Sequence, residues 1–487
     1  MICRSASVLA LGLAVLTPGG AARAAPQESV EQAHELAPVP REELPAGAAA
    51  VALGTTVSTV ELEQLLIDRY SLARDGREVL RHLVECAVLE RLGGERGVIV
   101  SDRDVNRRWA ELDRQASPKG SSGGLLDYLR AEGVAVQRFR ETLRLGILHE
   151  RLTRLALGLP RDAAVSSEQQ SIWLEQEIAQ RGLEELPPPF VGGIAARWGR
   201  DLTVSEASYR EALREMLPNA EVEEACYLIL LDKRLSARLA RLEDPPTAGE
   251  LERAVEAEIE RRRLEAAGDP RYKDVPYEAL LRAQGLRVET WHLDPAVRVA
   301  AMSHLYVDRT FGEEGLRRHY EENRDHFEGQ YGMAVKTRAL FLRAARLTNE
   351  LNPRSFEEAE RELARLAERI DTEEEFAAAA LEYSEDAFTR KSGGDLGYVT
   401  RDDERVGPEL RDLIFTAAGV GKGRTGRARG PVRVPTGAAL FWISEVRPSP
   451  PWEDMATHVH RELRKQLVDD TLPRQRVRTF LDRDQEG

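Results

Sequence analysis

The residues of this chain whose types and spacing could support chemistry gather in one stretch. Phe376 to Asp386 reads Phe-Ala-Ala-Ala-Ala-Leu-Glu-Tyr-Ser-Glu-Asp, and Ser392-Gly393-Gly394-Asp395-Leu396-Gly397 follows after a short spacer. Closely spaced glycines permit positive φ and close backbone approach in a tight loop. Asp395 can pin that loop by accepting from backbone N–H groups, so its reading is architectural. Asp386, by residue type alone, is a helix-end or turn aspartate. His458-x-His460 lacks the i, i+4 spacing that aligns two ligands on one helix face, and reads as solvated surface. His319 and His326 flank a helical neck and read as exposed. The sequence holds no HExxH, no P-loop and no G-x-S-x-G.

The stretch resembles the parvulin (rotamase) family of peptidyl-prolyl isomerases. In that family a helix ends in Tyr-Ser-x-Asp or similar, and a short loop leads to Gly-Gly-Asp-Leu-Gly. Downstream, Val406-Gly407-Pro408-Glu409-Leu410 and Phe415 sit where the family places a Met-x-Pro-x-Phe run and a core phenylalanine. Gly430-Pro431-Val432 and Gly437 match the family's closing pattern, so the resemblance covers roughly residues 333–447. The helical part before it is similar in pattern to the peptide-binding domain of the SurA and PrsA folding factors.

The chemistry this resemblance implies needs no cofactor. Prolyl isomerisation faces a rotational barrier of ~18–20 kcal/mol set by amide resonance. A catalyst desolvates the amide, grips the ring in an apolar pocket and favours the twisted form electrostatically. By resemblance, parvulins do this with a Cys or Asp after the Tyr-Ser helix, a histidine on the first strand, a histidine on the last strand, and a Met/Phe pocket. Here Asp386 occupies the Cys-or-Asp position and is the catalytic candidate. The two histidine positions fall at Ala339 and Ala439, so both imidazoles are missing. The pocket maps to Val406, Leu410 and Phe415 as substrate-binding candidates, the first two smaller than the family's usual residues. A weak or inactive isomerase on an intact fold is the expectation. The loop Gly419–Gly430 is longer than the family norm and carries Lys422, Arg424, Arg427 and Arg429. It reads as a solvated loop, with a grip for acidic clients as the other option.

The elements that position these residues follow from composition and periodicity. At 487 residues the chain calls for two to four units. Its net charge of −14 argues against a nucleic-acid binder, which would show a basic face. With 31% charged and 6% aromatic residues it suits long amphipathic helices better than a β-sandwich. Arg4, the apolar run Val8–Leu16 and Ala22-Arg23-Ala24 read as a secretory signal with a mature start near Ala25. Cys3 has no lipobox context, and no lipid anchor is expected. Cys86 and Cys226 sit in apolar helical runs and read as buried free thiols, although an exported context permits a disulfide.

Residues 25–48, with Pro26, Pro38, Pro40 and Pro45, read as a disordered tether. From Val51 to about Gly158 the period is helical, opened by the capping-box pair Ser58 and Glu61. A comparable order recurs downstream. Thr203-Val204-Ser205 echoes Thr56-Val57-Ser58, Glu224-Ala225-Cys226 echoes Val84-Glu85-Cys86, and Thr247 with Glu250 echoes Ser101 with Asp104. Tyr277–Gly285 echoes Leu126–Gly133. Two divergent copies of one helical unit are one reading, and two generic helical segments sharing capping chemistry are the other. Beyond them, Val335–Leu342 and Ala439–Val446 are strand candidates around two helices. Met455, Val459, Leu463 and Leu467 stripe a final helix that needs an apolar partner.

The expected fold class is therefore α+β. It combines a mainly helical SurA-N-like peptide-binding module, read as duplicated, with a parvulin-like β-α-α-β domain. The expected segments are a signal peptide (1–24), the tether (25–48), a helical chaperone unit (49–158), a helical linker (159–186), a second helical unit (187–328), the parvulin-like domain (329–447) and a C-terminal helix (448–487). The resemblance implies an extracytoplasmic folding factor that binds unfolded polypeptide, with isomerase activity weakened or lost. The rival readings are a fully active isomerase and an assembly scaffold without clients. No cofactor, nucleic acid or membrane span is expected.

Overall fold

Side-chain caps set many of the helix starts. Ser58 Oγ accepts from Glu61 N while the Glu61 carboxylate accepts from Ser58 N. The same reciprocal box recurs at Ser166/Gln169, Thr247/Glu250, Ser355/Glu358 and Thr372/Glu375. Each box satisfies two N–H groups that a helix terminus leaves orphaned. The structure is a computed structural model and describes residues 43–116, 124–131, 136–346, 354–419 and 426–481. The expected signal peptide, residues 25–42 of the expected tether, and Lys422 and Arg424 lie outside the described residues.

The chain opens with strands β1 (Ala48–Ala52) and β2 (Thr55–Ser58), then helices α1 (Thr59–Tyr70), α2 (Arg74–Arg96), α3 (Asp102–Ala116), α4 (Leu125–Ala131), α5 (Val136–Ala156) and α6 (Ser167–Arg181). Next come β3 (Leu183–Glu185), β4 (Ile194–Trp198) and β5 (Leu202–Ser205), then α7 (Glu206–Met216), α8 (Asn219–Leu239), α9 (Ala248–Gly268), α10 (Tyr277–Ala283), α11 (Pro295–Glu322) and α12 (Arg324–Tyr331). The α+β segment follows: β6 (Ala334–Arg343), α13 (Phe356–Ala367), α14 (Glu373–Tyr383), β7 (Asp395–Val399), α15 (Pro408–Gly419), β8 (Arg429–Val434) and β9 (Gly437–Arg447). Helix α16 (Trp452–Thr471) and strand β10 (Arg478–Thr479) close the described chain. Two compact units result, Met1–Tyr306 with Lys465–Gly487, and Val307–Arg464. The divisions fall within α11 and α16.

In the first unit the helical reading from Val51 is corrected at its start, because β1 and β2 form an antiparallel hairpin. Leu53 and Gly54 both take positive φ and turn the chain there. The strand Ala-Ala-Ala-Val-Ala offers no polar alternation, so it carries no period-2 signature. An equivalent hairpin, β4–β5, opens the second segment, and each hairpin has a register shift near its first residues. Ser58 and Ser205, the serines of the echoing tripeptides, cap α1 and α7. The order hairpin, α1, α2, α3, α4, α5 then repeats as hairpin, α7, α8, α9, α10, α11.

These two segments interlock. Helix α1 packs on α7, while α2 packs against β4 and β5, and α8 against β1 and β2. The third strands are exchanged as well: β3 pairs with β4, and β10 pairs with β1. One main core results, in which Val57, Leu62, Leu66, Leu92, Leu213 and Leu228 are all buried, and a smaller cluster of Val255, Leu281, Trp291, Val297 and Ala301 lies within the second segment. The expected linker joins it through Trp173, Leu174 and Ile178 of α6. The expected C-terminal helix joins it through Leu467, Val468 and Leu472. Two buried free thiols were expected; Cys226 is buried and Cys86 half-buried, and both are free. Burial pushes them up to about 12 and about 11 respectively.

In the second unit β6–β9 form one antiparallel sheet of order β7-β6-β9-β8. Strand alternation sends side chains to two faces. Leu340, Leu342, Ala438, Leu440 and Trp442 pack under α13 and α14, with Leu363 and Phe376. Val335, Ala339, Ala439, Phe441 and Ile443 pack under α15, with Leu410, Ile414 and Phe415. Separately, Met455, Val459 and Leu463 of α16 bury against Val307, Tyr320 and Phe327. The α16 stripe thus finds its partners in two clusters.

Candidate functional site

The central strand pair β6–β9 fixes the site's geometry. Its register sets Ala339 opposite Phe441 and Phe341 opposite Ala439. Directly opposed residues share a face, so the two alanines lie on the α15 side, each facing a phenylalanine across the strands. Ala339 is 8% exposed and Ala439 2%. Where the resemblance called for two imidazoles, the face carries two methyl groups and two rings. Phe341 and Phe441 were not singled out from sequence. The doubled Ala-x-Phe spacing, 339/341 and 439/441, was the available signal, but only the register makes it crosswise.

Val406, Leu410 and Phe415 join this same cluster. Val406 closes a turn whose Asp403 binds Arg405 through both carboxylate oxygens. That hydrogen bond holds the Asp403 carboxyl below its ordinary range, against the opposing effect of burial. Leu410 and Phe415 project from α15, which opens on Pro408, where a missing N–H costs nothing. The Arg401 guanidinium stands 4.9 Å from the centre of the Phe415 ring. The three candidates are 4%, 8% and 2% exposed, so they are packed as core.

Asp386 follows α14, and its surroundings are built on the edge of β6. Strand β7 pairs with β6 only as far as Arg338, so Phe341 needs other partners on that side. The Ser384 hydroxyl accepts from Phe341 N at 3.2 Å, and Glu385 N donates to Phe341 O at 2.8 Å. Ser384 is fully buried in doing so. The Asp386 carboxylate turns to its own loop: it accepts from Phe388 N at 3.2 Å, from Thr389 N at 3.3 Å and from the Thr389 hydroxyl. This is a loop-pinning use of an aspartate.

The far end of the loop is fixed just as firmly. Ala339 N donates to Gly394 O at 2.8 Å, and Gly394 N donates to Thr389 O at 2.9 Å. A Cβ on Gly394 would stand 2.2 Å from Ala339 O, and the residue has φ +76°, so glycine is required twice over. Asp395 Oδ1 accepts from Gly397 N at 2.8 Å. Arg338, bonded to Glu373, also donates to the Ser392 and Gly393 carbonyls.

The histidines of this unit are engaged elsewhere: His326 is exposed as expected, whereas His319, His458 and His460 are half-buried, which corrects their reading as open surface. His458 stacks on Tyr331 at 4.2 Å, with its Nδ1 2.8 Å from Arg461 Nη2. Burial and the Arg461 charge push it below the usual imidazole value. His460 pairs with Asp308 at 2.9 Å, and the exposed His326 with Glu462 at 2.8 Å. His319 lies edge-on to Phe311 and Phe327. Their rings are consumed in joining α11, α12 and α16. Among the described residues, no group of three or more His, Cys, Asp or Glu side chains could hold a metal ion.

A four-stranded antiparallel sheet flanked by α13, α14 and α15, with the Tyr-Ser-x-Asp and Gly-Gly-Asp-Leu-Gly loop on its edge, is the architecture of a parvulin-type domain. Residues 328–425 match the family model described as PPIC-type PPIASE domain. The chain therefore carries a PPIC-type, or parvulin-type, PPIase domain beside a mainly helical unit. Over 128 residues it is 26% identical to the foldase protein PrsA of Oceanobacillus iheyensis, a match covering 26% of this chain and 40% of that protein. The aligned stretch thus spans less than half of that relative. Among solved structures, peptidylprolyl isomerase (PrsA) from Bacillus anthracis is 15% identical. That match covers 53% of this chain and 93% of the other, at a TM-score of 0.23. A PpiC-type peptidyl-prolyl cis-trans isomerase domain is 28% identical over 25% of this chain and 96% of its own, at a TM-score of 0.19.

Proposed function

We propose that this chain is an extracytoplasmic folding factor that binds unfolded polypeptide, and that its parvulin-type domain is a weakened or lost isomerase retained as a peptide-binding surface. The observation that carries the catalytic part is the crosswise register of Ala339 with Phe441 and Phe341 with Ala439. An alanine methyl neither donates nor accepts a hydrogen bond. A face of methyls and phenyl rings cannot stabilise a twisted amide electrostatically, which is where such a catalyst would draw its rate. The Asp386 carboxylate, given to Phe388 and Thr389, is used in holding the loop. The folding-factor part rests on the PPIC-type match and the PrsA relative. The export part rests on Arg4, the Val8–Leu16 run and Ala22-Arg23-Ala24. Among the described residues no helix is long and apolar enough to cross a membrane.

The test is the isomerisation rate of a proline tetrapeptide, measured with the wild type and with Asp386→Ala, alongside suppression of aggregation of a chemically unfolded protein. The expected result is a rate close to the uncatalysed one for both proteins, with aggregation suppressed. A fast wild type slowed by Asp386→Ala would make the domain a working enzyme that uses Asp386 without histidine support. Failure to hold unfolded protein would leave an assembly scaffold.

A further inference from the structure

Phe388 is 94% exposed, an unusual place for a phenyl ring on a loop held so tightly. Both ends of the loop are bonded to β6, at Phe341 through Glu385 and at Ala339 through Gly394. Between them the Asp386 carboxylate accepts from the backbone N–H of Phe388 itself and from both donors of Thr389. The loop therefore runs beside the Ala339–Phe341 stretch of the candidate site. Its aromatic residue points to solvent from a backbone that cannot easily fold it back. Water contact with a full ring is unfavourable, and a backbone already fixed leaves only the two side-chain torsions of the ring to be ordered when a partner covers it. The folded chain itself gains nothing from this arrangement.

We propose that Phe388 is a client-gripping residue of this domain, covering apolar or proline-containing segments of extended polypeptide, and that Asp386 is its positioning residue. The inference rests on the folding-factor reading and deepens it. It assigns the domain's grip to the rim of the old site, because Val406, Leu410 and Phe415 are already covered by the protein's own side chains. It also gives Asp386 a role that survives the absence of both histidines. The hydrogen bonds it accepts need an oxygen acceptor in place and need no proton transfer.

The experiment uses the full chain and a short fluorescein-labelled extended peptide with one proline flanked by apolar residues. Anisotropy gives the Kd, and fluorine NMR of a Phe388→4-fluorophenylalanine variant reports on the ring itself. The expected result is a titratable shift of the fluorine signal that tracks the anisotropy. For the same interaction, Phe388→Ala raises the Kd of the ring-contacting mode by about tenfold, with no change in thermal midpoint, and Phe388→Trp restores binding. Asp386→Ala weakens binding in the same mode, and Asp386→Asn, which keeps one of the two acceptor oxygens, restores it in part. Saturating peptide that leaves the fluorine signal unmoved would overturn the inference while leaving the folding-factor reading intact. A wild type that binds no peptide and does not suppress aggregation would overturn both.

Discussion

The first unit and the sheet unit put apolar surface to different use. In the first, two segments with the same element order are interlocked. Helix α2 covers the hairpin of the second segment, α8 covers that of the first, and β3 and β10 are exchanged between them. The main core of that unit belongs to neither segment alone, while a small cluster of Val255, Leu281, Trp291, Val297 and Ala301 lies within the second. In the second unit each cluster is internal to residues 307–464, but the two sheet faces differ. One is filled by leucines and a tryptophan under two helices. The other sets alanines against phenylalanines under α15. Repetition in the first unit thus yields one shared main core, whereas one sheet in the second yields a structural face and a candidate site face.

The largest expected effect breaks the interlock. A fragment of residues 43–186 retains β1–β3 and α1–α6 but loses α7, α8 and β10, the elements that cover its hairpin and short helix. It is expected to be unfolded by far-UV circular dichroism and amide exchange, while a 307–464 fragment stays folded. Protected α2 amides in the 43–186 fragment would show that the two segments are independent. On the structural sheet face, Leu440→Ala removes a fully buried side chain and should destabilise the sheet unit by about 2–5 kcal/mol in urea unfolding.

The site face should respond differently. Ala339→His with Ala439→His inserts two imidazoles opposite Phe441 and Phe341. Overpacking at such positions costs about 1–3 kcal/mol, and tetrapeptide isomerisation should not accelerate. A faster rate with no stability loss would show that the face has room for two imidazoles and their chemistry. Smaller again is Arg401→Ala, which takes a guanidinium from the Phe415 ring. An exposed cation–π contact is worth about 0.5–1 kcal/mol, so the urea midpoint should fall slightly.

The smallest effect is a pH dependence in the first unit. His149 lies against Trp173, with Nε2 3.0 Å from Gln170 O, and burial pushes its pKa below the ordinary 6.5. A folded-state pKa below the unfolded one leaves stability untouched above about 6.5. As pH falls below that value the unfolded chain takes up the proton first, so stability drops. Urea midpoints at neutral pH and two units lower should therefore diverge in the wild type and converge in His149→Gln. Equal divergence in both proteins would remove His149 as the cause.

Much of this architecture was legible in the chain because its signals are local. Capping pairs such as Ser58/Glu61, Ser101/Asp104 and Thr247/Glu250 mark helix starts with the atoms that satisfy them. The Tyr-Ser-x-Asp and Gly-Gly-Asp-Leu-Gly segments encode a loop, since only glycine fits at 394 and an aspartate at 395 can reach Gly397 N. The absence of histidine at 339 and 439 is also a matter of residue identity alone. The hairpin at β1 was not legible, because a run of alanines has no polar side to alternate with.

Pairing and packing were decided only in three dimensions. Sequence order placed Ala339 and Ala439 a hundred residues apart, and the antiparallel register put each opposite a phenylalanine. Echoing motifs read as two units, yet packing merged them, since each long helix buries its apolar side on the other segment's hairpin. Asp386 is the same residue under both descriptions. By sequence it stood where a catalytic group would stand, and its hydrogen bonds to Phe388 and Thr389 turned it toward the loop. The physical reason is common to all three. Local bonding is written in neighbouring residues, whereas which apolar surface a side chain meets depends on contacts between residues far apart along the chain.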